Sequence, residues 1–326
     1  MKAVYIREFG GVENLELREV ADPAKPMGTE VLVRVRAAGL NRADLMQRLG
    51  KYPPPADYSP NIPGLEFAGE IAEIGSGVSS YKVGDRVFGI TAGQAQAEYV
   101  LTDERVLARV PGKLSFVEAA AVPEVFITAH DAIFTQCGLK PGEWLLVHAV
   151  GSGVGLAALQ LAKANTAFVA GTSRTKDKLD RCAEFGIDLP LVTREPRFAD
   201  KVKTASLSGA NVILDLVGGN YFPENLAALA VKGRMILVGL TAGRSSEIDL
   251  GMALYKRATI IGTVLRARSL EEKAAATQAF AREVIPLFEN GKIRPNVDRV
   301  YPASEIREAH LYLETNASFG KVVIEF

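Results

Sequence analysis

The chain has 326 residues, of which 48% are hydrophobic, 23% charged and 7% aromatic; this is a globular composition that excludes disorder, collagen and small disulfide scaffolds. At roughly 100 to 200 residues per domain, the length predicts two domains, each able to bury its own core. The 38 basic residues balance the 38 acidic ones, so no net field draws the chain to nucleic acid or an anionic membrane, and neither is an expected partner.

In chain order, Met1 to Glu8 is charged and alternates like a strand, without the apolar core of a signal peptide. No run approaches the ~20 apolar residues of a membrane span. Up to about residue 120, short strands alternate with turn signals, among them Glu30 to Ala37, Phe67 to Ile74 and Ala97 to Leu101. This pattern predicts an antiparallel β-rich domain. One helix interrupts it from Arg42 to Leu49, with Gly50 as its stop, and Pro53, Pro54 and Pro55 then enforce an extended loop. Phe116 to Phe134 is Ala-rich and reads as helical except where Pro123 breaks or restarts it. The lone pair of cysteines, Cys137 and Cys182, is too few for a disulfide framework or a Cys-rich zinc site, and predicts a reduced, cytoplasmic setting.

Beyond that point apolar strands alternate with helices. The strands are Trp144 to His148, Phe168 to Gly171, Asn211 to Leu216, Met235 to Gly239 and Ile260 to Leu265. The helices between them are Gly155 to Lys163, Lys176 to Phe185, Phe198 to Ala205 and Phe222 to Ala230. The fold class is therefore α/β with a doubly wound parallel sheet. Leu270 to Asn290 reads as one charged amphipathic helix, and Lys321 to Phe326 as a strand that the β-rich domain needs. The first domain is thus expected to be discontinuous, residues 1–121 with 266–326, around a nucleotide-binding domain at 122–265.

The strand ending at His148 runs into Ala149-Val150-Gly151-Ser152-Gly153-Val154-Gly155 and then a helix. A glycine turn between strand and helix lets a diphosphate approach the backbone and meet unpaired N–H groups at the helix N-terminus. Ser152, Gly153, Val154 and Gly155 are the expected cradle, although the spacing departs from the strict G-x-G-x-x-G. The next strand ends with Ser173 and Arg174, followed by Lys178, and carries no acid for the ribose hydroxyls. Hydroxyl and cations in place of a carboxylate favour NADPH over NADH. Of the three histidines, His148 at the strand end reads as hydrogen-bonded and structural.

The order of motifs resembles the medium-chain dehydrogenase/reductase superfamily over essentially the whole length. The carriers are Ala38 to Asp44, Pro63 to Gly69, Val83 to Val87, Gln94 to Tyr99 and His148 to Gly155. Zinc-dependent relatives place Cys where Asn41 stands and His where Leu65 stands, and have a four-Cys lobe; none of these is present, so the resemblance is to the zinc-free quinone oxidoreductase branch. Gln47 to Pro55, Ser152 to Gly155 and Leu265 to Arg268 are most similar to the tumour-suppressor-inducible NADPH quinone reductases. The resemblance implies a GroES-like β-rich catalytic domain, a Rossmann domain and a homodimer paired through an edge such as Ile260 to Val264. It also implies catalytic roles for Asn41 and Tyr52 near the nicotinamide and substrate. Thr128, Gly239, Leu240, Leu265, Arg266 and Lys321 become further cofactor-binding residues. Many quinone reductases stack a Tyr near the adenine 2′-phosphate where this chain has Thr193.

The expected activity is metal-free hydride transfer from NADPH to a quinone, whose hydroquinone product is a weakly basic oxyanion that needs positioning more than a strong acid. An enone or alkenal reductase using Tyr52 as proton donor is the alternative, and a catalytically silent nucleotide-binding redox sensor is a third. Asn41 also reads as a helix N-cap, with Asp44 at the third position of a capping box.

Overall fold

The computed structural model describes all 326 residues, and the chain divides into two units: Met1–Ile127 with Leu265–Phe326, and Thr128–Val264. The first segment contains β1 (Lys2–Ile6), β2 (Leu15–Glu19), β3 (Glu30–Leu40), α1 (Arg42–Arg48), β4 (Glu66–Ile74), β5 (Arg86–Ile90), β6 (Tyr99–Asp103), β7 (Leu107–Arg109), α2 (Phe116–Ala120) and α3 (Pro123–His130). Alternation explains β3: Val31, Val33 and Val35 are buried while Arg34 is exposed, the two-residue period of a strand with one wet face. Gly50 follows α1 with φ +70°, a conformation that stops a helix and suits glycine. Pro123 opens α3 rather than interrupting a helix, because its fixed φ suits a first helical position.

The second unit runs through β8 (Trp144–Val147), α4 (Gly153–Ala164), β9 (Phe168–Ser173), α5 (Lys176–Cys182), β10 (Leu189–Val192), α6 (Ala199–Ser206), β11 (Ala210–Asp215), α7 (Phe222–Ala228), β12 (Leu229–Leu237), α8 (Leu250–Lys256) and β13 (Thr259–Gly262). Its six strands lie in the order β10-β9-β8-β11-β12-β13, every neighbour parallel. Strand order reverses between β8 and β11, which opens a crevice at their C-terminal ends where such folds bind ligands. The core includes Leu146, Ala170, Val202, Ile213 and Met235, all fully or almost fully buried.

The chain then returns to the first unit as α9 (Leu270–Glu283), α10 (Ile285–Glu289), β14 (Val297–Pro302), α11 (Ile306–Glu314) and β15 (Lys321–Glu325). The sheet there is ordered β14-β15-β3-β4-β5-β7, with β6 also on β3. The α/β class, with a GroES-like domain and a separate parallel Rossmann sheet, is as the sequence predicts, but the first unit's sheet is mixed rather than antiparallel throughout because β14 runs parallel to β15. The differences are local. The single helix expected over Leu270 to Asn290 is two, because Pro286 has no N–H to continue the ladder of α9. The helix expected to reach Ala230 ends at Ala228, and Leu229 already belongs to β12. No helix is long and apolar enough to cross a membrane.

Candidate functional site

In the first unit the residues predicted for catalysis meet a buried ionic cluster. Asn41 precedes α1, and its backbone N–H donates to Asp44 Oδ2 at 2.7 Å, so the chain turns sharply out of β3. Its side chain is engaged elsewhere: Nδ2 donates to Glu66 Oε1 at 2.8 Å and Oδ1 accepts from Lys321 Nζ at 2.7 Å. Glu66 heads β4 and is fully buried; its Oε1 also accepts from Lys321 at 2.5 Å, and its Oε2 accepts the backbone N–H of Glu124 at 2.8 Å. Lys321, the first residue of β15, donates its third hydrogen to Leu40 O at 3.0 Å, so all three of its donors are committed within this unit. Removing a cation and a carboxylate from water costs several kcal/mol each, a cost offset here by their mutual attraction and by hydrogen bonds to both oxygens of Glu66 and from all three Lys321 donors.

Tyr52 and Arg266 form the second part of this cluster. Arg266 is buried and donates to Ala92 O at 2.7 Å, to the Tyr52 carbonyl at 2.9 Å and to Gln47 Oε1 at 2.5 Å. Its guanidinium carbon lies 5.1 Å from the centre of the Tyr52 ring, within cation–π range. Burial holds the Tyr52 phenol above its ordinary value and lowers that of Arg266. Burial also pushes Asp44 up to about 6, against the pull of the Asn41 and Gly64 amides and of Lys321. Glu124, half-buried in the first turn of α3, is pushed up to about 8 by burial and then by the charge of Glu66. Leu265 is buried beside Arg266 in sequence.

In the second unit, Ser152 caps α4, and its hydroxyl accepts the Gly155 N–H at 3.2 Å. The amides of Gly153 and Val154, the first two of the helix, make no backbone bond and are available to an anion. Gly155 packs so tightly that a Cβ there would lie 2.6 Å from the carbonyl oxygens of Ala149 and Val150. These residues fit a diphosphate. Ser173 ends β9, Arg174 beside it is exposed, and Lys178 lies on α5. Thr193, just past β10, donates its N–H to Ser173 O at 2.9 Å and places its hydroxyl 3.2 Å from that of Tyr221. Gly239 and Leu240 follow β12, where a Cβ on Gly239 would approach Leu216 O to 2.7 Å. Thr128 is half-buried on α3.

The structure thus gathers Asn41, Tyr52, Arg266 and Lys321 in one unit and the phosphate-binding candidates in the other. Sequence reasoning missed Glu66, Gln47 and Glu124 as members of the cluster. The available signal was a lone carboxylate in apolar surroundings, which Glu124 provides between Ala119 and Thr128. His148 is hydrogen-bonded and structural as expected, but the partners that extend it into a buried chain behind the glycine turn were missed. His148 is bonded to Thr172 Oγ1 at 2.9 Å and to Asn225 Oδ1 at 2.5 Å, and Asn225 donates to Asp215 Oδ2 at 2.9 Å. Asp215 Oδ1 in turn accepts the N–H groups of Val217 and Gly218, both at 2.8 Å, which ties the ends of β8, β9 and β11 together. Burial disfavours the charged form of His148. No group of three or more His, Cys, Asp or Glu side chains is arranged to hold a metal ion.

Residues 27–132 match the family model of the alcohol dehydrogenase GroES-like domain, and residues 153–282 match that of the zinc-binding dehydrogenases. The quinone oxidoreductase of Lama guanicoe is 34% identical over 99% of this chain and 97% of its own length. The crystal structure of Escherichia coli quinone oxidoreductase complexed with NADPH is similar with a TM-score of 0.88 at 29% identity, covering 100% of both chains. The CurK enoyl reductase is similar with a TM-score of 0.87 at 27% identity, covering 99% of this chain and 98% of its own.

Proposed function

The chain belongs to the zinc-free quinone oxidoreductase branch of the medium-chain dehydrogenase/reductase superfamily, and we infer on that basis that it is a zinc-independent NADPH:quinone oxidoreductase. The observation that carries the reading is the donor set of the first unit. Asn41 and Leu65 stand where zinc-dependent relatives place Cys and His, and the adjacent Glu66 is engaged by Asn41, Lys321 and the Glu124 amide. NADPH, when bound, supplies the hydride. The unbonded amides of Gly153 and Val154 receive its diphosphate, and Ser173, Arg174 and Lys178, with Thr193 beside Ser173, receive the 2′-phosphate. Thr128, Gly239, Leu240 and Leu265 are assigned to contacts with the cofactor.

Asn41 and Tyr52 orient the nicotinamide carboxamide or the substrate oxygen. Lys321 fixes Asn41 through its amide oxygen, and Arg266 fixes Tyr52 through its carbonyl and ring. Within the branch, the Gln47 to Pro55 stretch supports placement near the tumour-suppressor-inducible reductases. We further propose a homodimer: Leu250, Leu254 and Tyr255 on α8, with Ile260 and Val264, leave an apolar surface beside the edge strand β13. Light scattering at micromolar concentration tests this, and a monomer would refute it. Two buried, unpaired cysteines suit a reducing cytoplasm.

An anaerobic panel of quinones and enones assayed with NADPH and NADH tests the activity. Quinone reduction with NADPH that survives exhaustive chelation is expected, and failure to reduce any quinone overturns the reading. An enone reductase is the second reading, favoured by the likeness to an enoyl reductase.

A further inference from the structure

The ionic cluster holds one carboxyl, that of Glu124, to which none of its cations donates a hydrogen bond, although Lys321 and Arg266 act on it at longer range. Lys321 is fully committed to Leu40, Asn41 and Glu66, and Arg266 to Ala92, Tyr52 and Gln47. Lys273, nearly buried on α9, faces Glu124 without pairing with it, and burial lowers its own tendency to carry charge. On α3 itself, the N-terminal dipole would ordinarily favour an anion. Here the amide of Glu124 points at Glu66 Oε2, so a charged Glu124 would stand beside a second carboxylate, with Asp44 a third acidic neighbour. Like charges at one site leave one carboxyl protonated. Glu124 is half-buried rather than fully enclosed, which leaves it a route for proton exchange with water, and it interacts with the phenol of Tyr52.

We propose that Glu124 is the proton donor of the reduction, a role that rests on the quinone reductase reading above. The quinone takes a hydride from NADPH and becomes the hydroquinone monoanion. The O–H bond of the Glu124 carboxylic acid then breaks, its proton forms the O–H bond of the hydroquinone, and the electron pair stays on the carboxylate. Water that reaches the half-buried Glu124 returns the proton for the next turnover. The apolar and ionic surroundings that hold the proton on Glu124 at neutral pH, pushing it up to about 8, match it to this task.

The test is Glu124→Gln, which keeps the shape but cannot release a proton. Wild-type turnover should fall as the pH rises through about 8. The variant should be slower at neutral pH by roughly 10²-fold, the low end for general acid catalysis because the oxyanion is weakly basic, and should lose that pH step. Its affinity for NADPH, read by nucleotide fluorescence, should be unchanged, and Glu124→Asp should recover both rate and pH step in part. Independently of turnover, infrared difference titration of the nucleotide-free protein should show a protonated carboxyl lost near pH 8 in wild type and missing in Glu124→Gln. An active wild type with no such carboxyl, or a variant with wild-type rate and profile, overturns the proposal alone. A wild type that reduces no quinone overturns the activity and the proposal together.

Discussion

Lys321→Met isolates what the buried ion pair contributes. The substitution preserves most of the side-chain volume but removes three hydrogen bonds, to Leu40 O, Asn41 Oδ1 and Glu66 Oε1. Lys321 is 4% and Glu66 0% exposed, so no water replaces the lost ammonium and the carboxylate keeps only the Asn41 and Glu124 amides. Leaving a buried charge without its partner costs about 3 to 5 kcal/mol, a large share of the ~5 to 15 kcal/mol that holds a domain folded. Glu66→Gln in the same chain should recover most of that loss, because the uncompensated charge is then gone. The measurement is urea-dependent hydrogen exchange of peptides covering β4 and β15, since the single tryptophan, Trp144, reports on the other unit. A loss below about 1 kcal/mol, or a double variant whose destabilisation equals the sum of the two single ones, would refute the reasoning.

Arg174→Ala with Lys178→Ala should raise the KM for NADPH by roughly 10- to 100-fold and spare NADH, the equivalent of ~1.5 to 3 kcal/mol for a charged hydrogen bond to phosphate; equal losses with both nucleotides would remove these residues from 2′-phosphate recognition. Tyr52→Phe should cost no more than about 1 kcal/mol in quinone turnover, whereas a fall of about 10² to 10⁴-fold would make Tyr52 the acid of an enone reductase. Gly155→Ala places a Cβ 2.6 Å from two backbone oxygens, so the Trp144 fluorescence transition should move to lower urea and nucleotide binding should fall; an unchanged midpoint would show that the turn has room to yield. Stability should decline between about pH 4.5 and 8, because Glu124 binds its proton more tightly folded than unfolded and that advantage is lost as the pH rises through its folded value; Glu124→Gln should flatten the decline, seen in Tm against pH.

The parallel sheet was legible because its strands are continuous apolar runs bounded by glycine and helix signals, and the turn at Ser152 to Gly155 has local chemistry of its own. β10 escaped because Leu189–Val192 is four residues long and contains Pro190, which is tolerated there only because the strand lies at an edge. α8 escaped because Gly251 in its first turn weakens the helical pattern despite the Asp249 cap, and α11 because Glu305 at its start makes no side-chain cap. In the first unit, Asn41 and Tyr52 stood in recognisable motifs, but Glu66 gains its meaning from Lys321, 255 residues further along. Pairings of that separation leave no periodic trace in the sequence. Glu124 was visible only as a charge among alanines, and its raised hold on a proton follows from burial and from the neighbouring charge of Glu66.

The place of β15 in the sheet has a consequence for the order of assembly. It is inserted between β14 and β3, yet its residues leave the ribosome after the whole of the second unit. At roughly 5 to 20 residues per second, the stretch from residue 127 to residue 321 takes about 10 to 40 s to synthesise. Throughout that interval the Ala37 to Leu40 stretch of β3 has an unpaired edge and Glu66 has no ammonium beside it. The nucleotide unit, a continuous segment, is free to fold in the meantime. Completion of this sheet, and of the charge balance beneath Asn41, therefore comes only after the second unit has been made and depends on a five-residue strand finding its slot.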